Sequence, residues 1–531
     1  MSDVALGIDL GTSNSVVTVV LEGEPIVIPD EDDNLVHPSV VHIGEDGDVS
    51  VGNEAVDYRV TDPEHTIYSV KRLMGRSYDD SDVKVMMGSY PYPIVEAEDG
   101  SPHIEMHGST YSPEQVSSLI LRHLKGLAEN YMGREIGQAV ITVPANFDEA
   151  QRRATMHAAE LADLEVLRLV NEPTAAALAY GYGDERRERI AIYDFGGGTF
   201  DISLLELRDN VYEVVSTAGN SYLGGDDIDY RIVSMILNAF EKEHGYDLSG
   251  EETVQQRLKA VAKQIKHQLT QRESVTARVT EYVPGTVTEL ELDFTLDRET
   301  FVRRCGDIVD ESLETCREAM EAVDVNPAES QHLVMVGGTT RIPFVQDKVR
   351  SFFNREPVLD IDPDQVVSIG AAIFGSSLTE QRSAPPSADE EGGDEPLLID
   401  VTPHSLGVAT VGGVMDIIIE RNASLPLERE RTFSTSRDNQ TRVVLPVYAG
   451  NSRRIEDNRQ LGRLVLDDLP ARPREEVDID VAFSVDTDGM LHVEAADAMT
   501  GTSQAARLSI MGDRDRGDLS EEERAALADT E

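Results

Sequence analysis

A short apolar strand that runs straight into an acid, glycine and threonine occurs twice in this chain, as GIDLGTSNS at residues 7–15 and YDFGGGTFD at residues 193–201. A strand ending in Asp, then Gly-Thr or Gly-Gly-Gly-Thr, then a returning strand, makes a tight turn whose bare glycines expose backbone N–H groups. Such a turn can wrap phosphate oxygens while the Asp faces a metal ion. Two copies predict a duplicated α/β unit with a nucleotide held between its halves. A third glycine turn, LVMVGGTTRIP at residues 333–343, again follows an apolar strand. There is no GxxxxGK[ST] and no GxGxxG opening a helix, so neither a P-loop nor a dinucleotide fold is expected.

A chain of 531 residues is too long for one ordinary core and predicts two to four domains. No stretch approaches the roughly 18 uninterrupted apolar residues of a membrane span, and MSDVALGIDLG lacks a signal peptide's basic flank and apolar run. A cytoplasmic location is expected. Cys305 and Cys316 are spaced to share one helix face and read as core filling in a reducing compartment; two cysteines fall short of a zinc site. The formal net charge of −52 argues against nucleic acid and anionic membranes as partners. It reads best as surface adaptation to a salt-rich, halophilic cytoplasm, where short-range screening tames the self-repulsion. Lysine is scarce, confined to Lys71, Lys84, Lys125, Lys242, Lys259, Lys263, Lys266 and Lys348.

Up to residue 378, β-like runs such as AVITVP and IAIYDFG alternate with helical patterns such as SPEQVSSLILRHLKGLAENYMG, an α/β layout. The Pro-, Ser-, Gly- and acid-rich stretch TEQRSAPPSADEEGGDEP then marks a linker, taken as residues 379–400. Strands and turns follow over 401–510, with TDG a hairpin turn. LSEEERAALADTE, within 511–531, looks like a capped helix start.

These motifs, with YSVKRLMGR (68–76), AVITVPANFDEAQRRAT (139–155), LVNEPTAAALAYG (169–181), GNSYLGGDDID (219–229), IDPDQVVSIGAA (361–372) and LLIDVTPHSLGV (397–408), resemble the DnaK, or seventy-kilodalton heat-shock, chaperone family over nearly the whole chain. The resemblance implies an actin-like, duplicated RNase H-like α/β ATPase domain followed by an all-β sandwich that binds peptide. Asp9 and Asp194 match the two acids around magnesium, held largely through water. Gly11, Thr12, Ser13, Gly196, Gly197, Gly198 and Thr199 match the phosphate turns, with Thr199 near the γ-phosphate. Lys71 matches the lysine that contacts phosphate and water, Glu172 the acid near the metal's waters, and Asp201 an acid associated with K+ and the attacking water. Lys266, Thr270, Gly337, Gly338, Thr339, Arg341 and Asp364 match the adenosine side. ATP or ADP, Mg2+ and K+ are the implied cofactors.

The resemblance also turns part of the β region into a peptide site, lined by Val408, Val411, Phe433, Ser436, Val443, Leu445, Val447 and Ile479. By itself, the alternation of Val443, Leu445 and Val447 reads as sandwich core. Pro144, Arg152, Leu397, Leu398 and Asp400 match residues that couple the two sites. Two departures stand out. Lys263 occupies a position where the family carries an acid, next to His267, and a lysine cannot accept ribose hydroxyl hydrogens. The chain also ends about where the family's long helical lid would begin, so fast peptide exchange is expected. Two functions follow: an ATP-driven chaperone for unfolded, extended apolar segments, served by a J-domain cochaperone and a nucleotide exchange factor; or a lidless nucleotide-gated module with one dedicated partner and weak ATPase activity.

Overall fold

The computed structural model describes residues 4–88, 90–181, 187–208, 210–220, 222–282, 289–358, 361–383, 396–410, 412–498 and 503–506. The repeated phrase in the sequence corresponds to a repeated sheet. In the first half, β1 (Ala5–Leu10), β2 (Asn14–Leu21) and β3 (Glu24–Val27) form an antiparallel meander. β4 (Gln138–Val143) and then β5 (Glu165–Asn171) join in parallel on the other side of β1. In the second half, β6 (Arg187–Phe195), β7 (Phe200–Arg208) and β8 (Val211–Asn220) form the matching meander. β9 (His332–Val336) lies parallel to β6, and a parallel bridge from Val334 to Val358 occupies the place that β5 holds in the first half.

Asp9 and Asp194 are the penultimate residues of β1 and β6, so duplication delivers the same carboxylate from each half. The halves differ one strand over: Asp9 pairs in register with Val16, whereas Asp194 pairs with Asp201. The second half therefore carries an acid that the first does not.

Eight of the helices frame these sheets. α1 (Pro113–Met132) and α2 (Glu149–Leu161) begin at capping boxes on Ser112 and Asp148, in which side chain and backbone satisfy each other's free donors. α3 (Glu172–Gly181) follows β5 directly, α4 (Gly225–His244) and α5 (Glu252–Leu269) pack on the second half, and α6 (Arg298–Glu321) buries Cys305 and Cys316, both free thiols, in one apolar cluster. α7 (Pro343–Phe353) completes that side. α8 (Val366–Ser383) crosses between the halves. A Cβ on Gly370 would lie 1.7 Å from the Ala175 carbonyl oxygen in α3, and one on Gly7 in β1 would lie 2.1 Å from the Ala372 nitrogen, so glycine sets the approach of α8 to both. Because α8 continues to Ser383, the linker begins later than residue 379, the boundary that composition suggested. The polar composition of its last turn hid a helix held by packing further upstream.

After the linker, β10 (Leu397–Ile399) adds to β8 in parallel, pairing Val211 with Leu397 and Tyr212 with Leu398. The β region then forms two four-stranded sheets. β11 (Leu406–Thr410), β12 (Val414–Ile419), β14 (Val443–Ala449) and β15 (Arg459–Leu466) make one, in the order β12-β11-β14-β15, and β13 (Leu427–Ser434), β16 (Asp478–Val485), β17 (Leu491–Asp497) and β18 (Ser503–Ala506) the other. Their inner faces alternate apolar residues, among them Val481, Phe483 and Val493 with Leu464, as a packed sandwich requires. TDG turns the β16–β17 hairpin, with Gly489 at φ +75°. Val411 and residues 511–531, including the expected helix start, lie outside the described residues.

Candidate nucleotide site and domain interface

The cleft between the halves gathers most of the acids expected there. Lys71 lies in a single 3-10 turn, Val70–Arg72, and its Nζ donates to Glu172 Oε1 at 2.7 Å, with both side chains buried. Glu172 is the first residue of α3, so the β5–α3 junction fixes its position. Burial first and the Glu172 charge second push the Asp9 carboxyl up to about 7, against the pull of Lys71 and of a 3.2 Å hydrogen bond from Thr142 Oγ1. Asp194 and Asp201 are held well above the usual carboxylate range by burial and then by Glu172, with Lys71 again opposing. Asp201 Oδ1 is buried without a hydrogen-bond partner.

Buried acids that repel one another, balanced by one lysine, with an orphaned carboxylate oxygen, form a site short of positive charge. That donor set fits a cation. Among the described residues no three His, Cys, Asp or Glu side chains converge as a direct metal-ligand group.

The glycine turns meet across this charge. A Cβ on Gly197 would lie 2.3 Å from Ser13 Oγ, which puts the turn containing Gly11, Thr12 and Ser13 in contact with the Gly196–Thr199 turn. One on Gly198 would lie 2.1 Å from Arg72 Nη2, which donates to the Gly198 carbonyl at 2.7 Å. The third turn closes on the second: Thr339 Oγ1 donates to the Gly196 carbonyl at 2.8 Å, and Gly337, at φ +82°, lies where a Cβ would approach Asp194 Oδ1 to 2.9 Å.

The residues expected around adenosine are largely paired with protein partners. Arg341 Nε donates to Asp364 Oδ2 at 2.9 Å, and Arg341 also pairs with Asp362. Gly338 adjoins Asp364 Oδ1. Lys266 Nζ donates to the Gly225 carbonyl and to Asp229 Oδ2, both at 2.8 Å, and Thr270 Oγ1 to the His267 carbonyl at 2.6 Å. Lys263 is held below the usual lysine range by burial, then by Arg59 and Lys266. His267 is pushed down to about 4 by burial, then by Lys266 and Lys263.

In the sandwich, Val408, Val443, Leu445, Val447 and Ile479 are buried in one cluster, Phe433 packs half-buried against it, and Ser436 is exposed, its N–H donating to Gln440 Oε1. For Val443, Leu445 and Val447 this is the sandwich core that their alternation by itself suggested.

Arg152 is a hub between the parts. It is buried, and it donates to Phe147 O at 3.1 Å, to Asn171 Oδ1 at 2.7 Å and, across the interface, to Asp488 O at 3.2 Å. Pro144, also buried, accepts from the Phe147 N–H at 3.1 Å, shaping the same bend. Asp400 accepts from Thr174 Oγ1 at 2.7 Å, beside Leu398 in the shared core and Leu397 at the surface.

Sequence reasoning missed most of this interface. Asp488 in the TDG turn accepts from the Leu169 N–H at 3.0 Å and pairs with Arg168. Arg459 pairs with Asp148, the α2 cap, and Arg421 Nη2 donates to Thr217 O at 2.5 Å. Only TDG carried a signal, and it was read as hairpin chemistry alone.

These features define a class: a duplicated α/β body with a charged, glycine-walled cleft, tied to a β-sandwich. The family model described as Hsp70 protein matches residues 5–530, and the chain belongs to the Hsp70 family. Hsp70 proteins are ATP-dependent chaperones with an actin-like ATPase domain and a β-sandwich; they bind ATP or ADP with Mg2+ and act with unfolded clients and cochaperones. No helix among the described residues is long and apolar enough to cross a membrane.

Proposed function

We propose that this chain hydrolyses MgATP in the cleft and uses the hydrolysis to control how fast its sandwich exchanges short, extended apolar segments of unfolded proteins. The observation that carries the reading is the buried Lys71–Glu172 pair among Asp9, Asp194 and Asp201, on the same half of the body whose Arg152 and Arg168 hold the sandwich. Bound magnesium would neutralise charge on the transferring phosphates. Asp9, Asp194 and Glu172 would hold its waters. Lys71, fixed by Glu172, presents a compact ammonium to phosphate and to the attacking water, and the free Oδ1 of Asp201 accepts a proton donor there.

Single-turnover ATP hydrolysis, with and without a panel of unrelated unfolded apolar peptides, tests the reading. We expect slow basal hydrolysis that several peptides accelerate, and a loss of at least about 100-fold in Lys71→Ala, which strands the Glu172 charge as well as removing the ammonium. If ATP binds and no generic peptide changes the rate, the chain is instead a nucleotide-gated module with a dedicated partner. The placement of Lys263 beside Arg59 and Lys266, in a wall expected to bind ribose, is the observation that favours that second reading.

A further inference from the structure

Three elements that build the cleft each have a far end, and there they bring a tyrosine, a histidine and a glutamate together. α3 begins at Glu172 and carries Tyr180 in its last turn. β6 delivers Asp194 at its penultimate position and carries Glu188 near its start, six residues earlier and about 20 Å away along an extended strand. β9 opens on His332 before running to the Gly337 turn. The Tyr180 hydroxyl lies 2.6 Å from His332 Nδ1, and His332 Nε2 lies 2.9 Å from Glu188 Oε2. Tyr180 is half-buried, and the His332 and Glu188 side chains are 25% and 19% exposed, so the group borders solvent.

A carboxylate at that distance draws the imidazole proton to Nε2, which leaves Nδ1 to accept from the tyrosine hydroxyl. A phenol so placed can give its proton to the imidazole as it attacks, and so acts as a nucleophile well below the phenol's own ionisation range, at about pH 10. The charges on the adjoining strands are already engaged. Arg189, next on β6, is held by Glu206 at 2.8 Å and Glu329 at 3.2 Å, and the segment on the other side of β9 meets that strand through Val358. Glu188, Glu206 and Glu329 against one arginine leave the surroundings negative, on a chain of net charge −52. That field repels phosphate-bearing donors and admits neutral carbonyl compounds.

We propose that Tyr180 is a nucleophilic tyrosine, with His332 as its base and Glu188 positioning that base, and that it is a modification site which takes up an acyl group from neutral activated esters or thioesters. Tyr180 Oη bonds to the acyl carbon as the bond from that carbon to the leaving oxygen or sulfur breaks, the leaving group taking the electron pair. The Tyr180 proton passes to His332 Nδ1 and from there to the leaving group. The product is a tyrosine ester, and nothing is oxidised or reduced. The site lies at the other end of these elements from the nucleotide and does not depend on the nucleotide reading.

Treating the full chain with p-nitrophenyl acetate, and following acetylation of each tyrosine by mass spectrometry of its peptides, tests the proposal. Tyr131, Tyr246 and Tyr282, which are 50%, 46% and 56% exposed, serve as references in the same sample. At pH 7.5 Tyr180 should be acetylated about 100-fold faster than these, although it is less exposed. Its rate should climb from pH 5.5 and level off near pH 7.5, as an imidazole base requires, while the references keep rising about tenfold per pH unit toward the phenol range. His332→Gln should bring Tyr180 to within about threefold of the references, and Glu188→Gln should slow it about tenfold. Acetyl phosphate, an anionic donor, should favour Tyr180 over the references at least about tenfold less than the neutral ester does. Equal rates at Tyr180 and the references in the wild type overturn the proposal whatever the variants do, as does a Tyr180 rate that keeps rising with the references past pH 8. A Tyr180 rate unchanged in His332→Gln also overturns it and leaves the three residues as a structural tie between α3, β6 and β9. Equal preference with acetyl phosphate overturns the choice of neutral donors.

Discussion

His404 shows how one side chain can tie domain contact to pH. It lies in the segment joining β10 to the sandwich, with Nδ1 buried and unpartnered, near Arg421, Arg459 and Asp148. Burial first, then Arg421, hold its pKa below the usual histidine range, with Asp148 opposing. A histidine whose pKa falls on docking favours docking while neutral, and that contribution is lost as pH falls through the ordinary value near 6.5 and then the lowered one. Asp400 and Asp488, raised mainly by burial at the same interface, titrate with the opposite sign. The histidine's share is therefore read as a difference. Small-angle scattering between pH 7.5 and 5.5 should show wild type expanding more than His404→Leu, and equal responses would discount the residue.

At the scale of elements, close approach and cross-domain hydrogen bonds carry the assembly. Gly370→Ala places a Cβ against the Ala175 carbonyl with no flexible atom to yield, so α8 and α3 must separate. A loss of at least about 3 kcal/mol is expected from denaturant unfolding, and a change below about 0.5 kcal/mol would show that the helices shift freely. Asp488→Ala removes the carboxylate that accepts from the Leu169 N–H and pairs with Arg168 while leaving Gly489 to turn the hairpin. The isolated sandwich should keep its melting temperature while protease cuts the interdomain segment faster in the full chain. Unchanged cutting would make Asp488 incidental to docking.

At the scale of the whole molecule, the net charge of −52 stores self-repulsion that dissolved ions relieve. The thermal midpoint should rise by more than about 5 °C between 0.2 and 3 M KCl; a flat or falling midpoint would remove salt adaptation as the reason for the composition. The duplicated meander, the third glycine turn, the cysteine-bearing helix and the change to an all-β region were legible in the sequence because each rests on local chemistry: strand periodicity, glycine turns, helical spacing. The end of α8 was not, since packing against Ala175 outweighs the polar composition of its last turn. Nor were the Arg168–Asp488 and Arg459–Asp148 pairs, or the Tyr180–His332 contact, which join residues far apart in the chain and leave no period or spacing behind. What the sequence determined by itself was where the glycine turns and strand-end acids fall, because strand periodicity and glycine turn chemistry are local. Only the tertiary structure decided which of those groups face one another, because burial and charge pairing arise where separate elements meet.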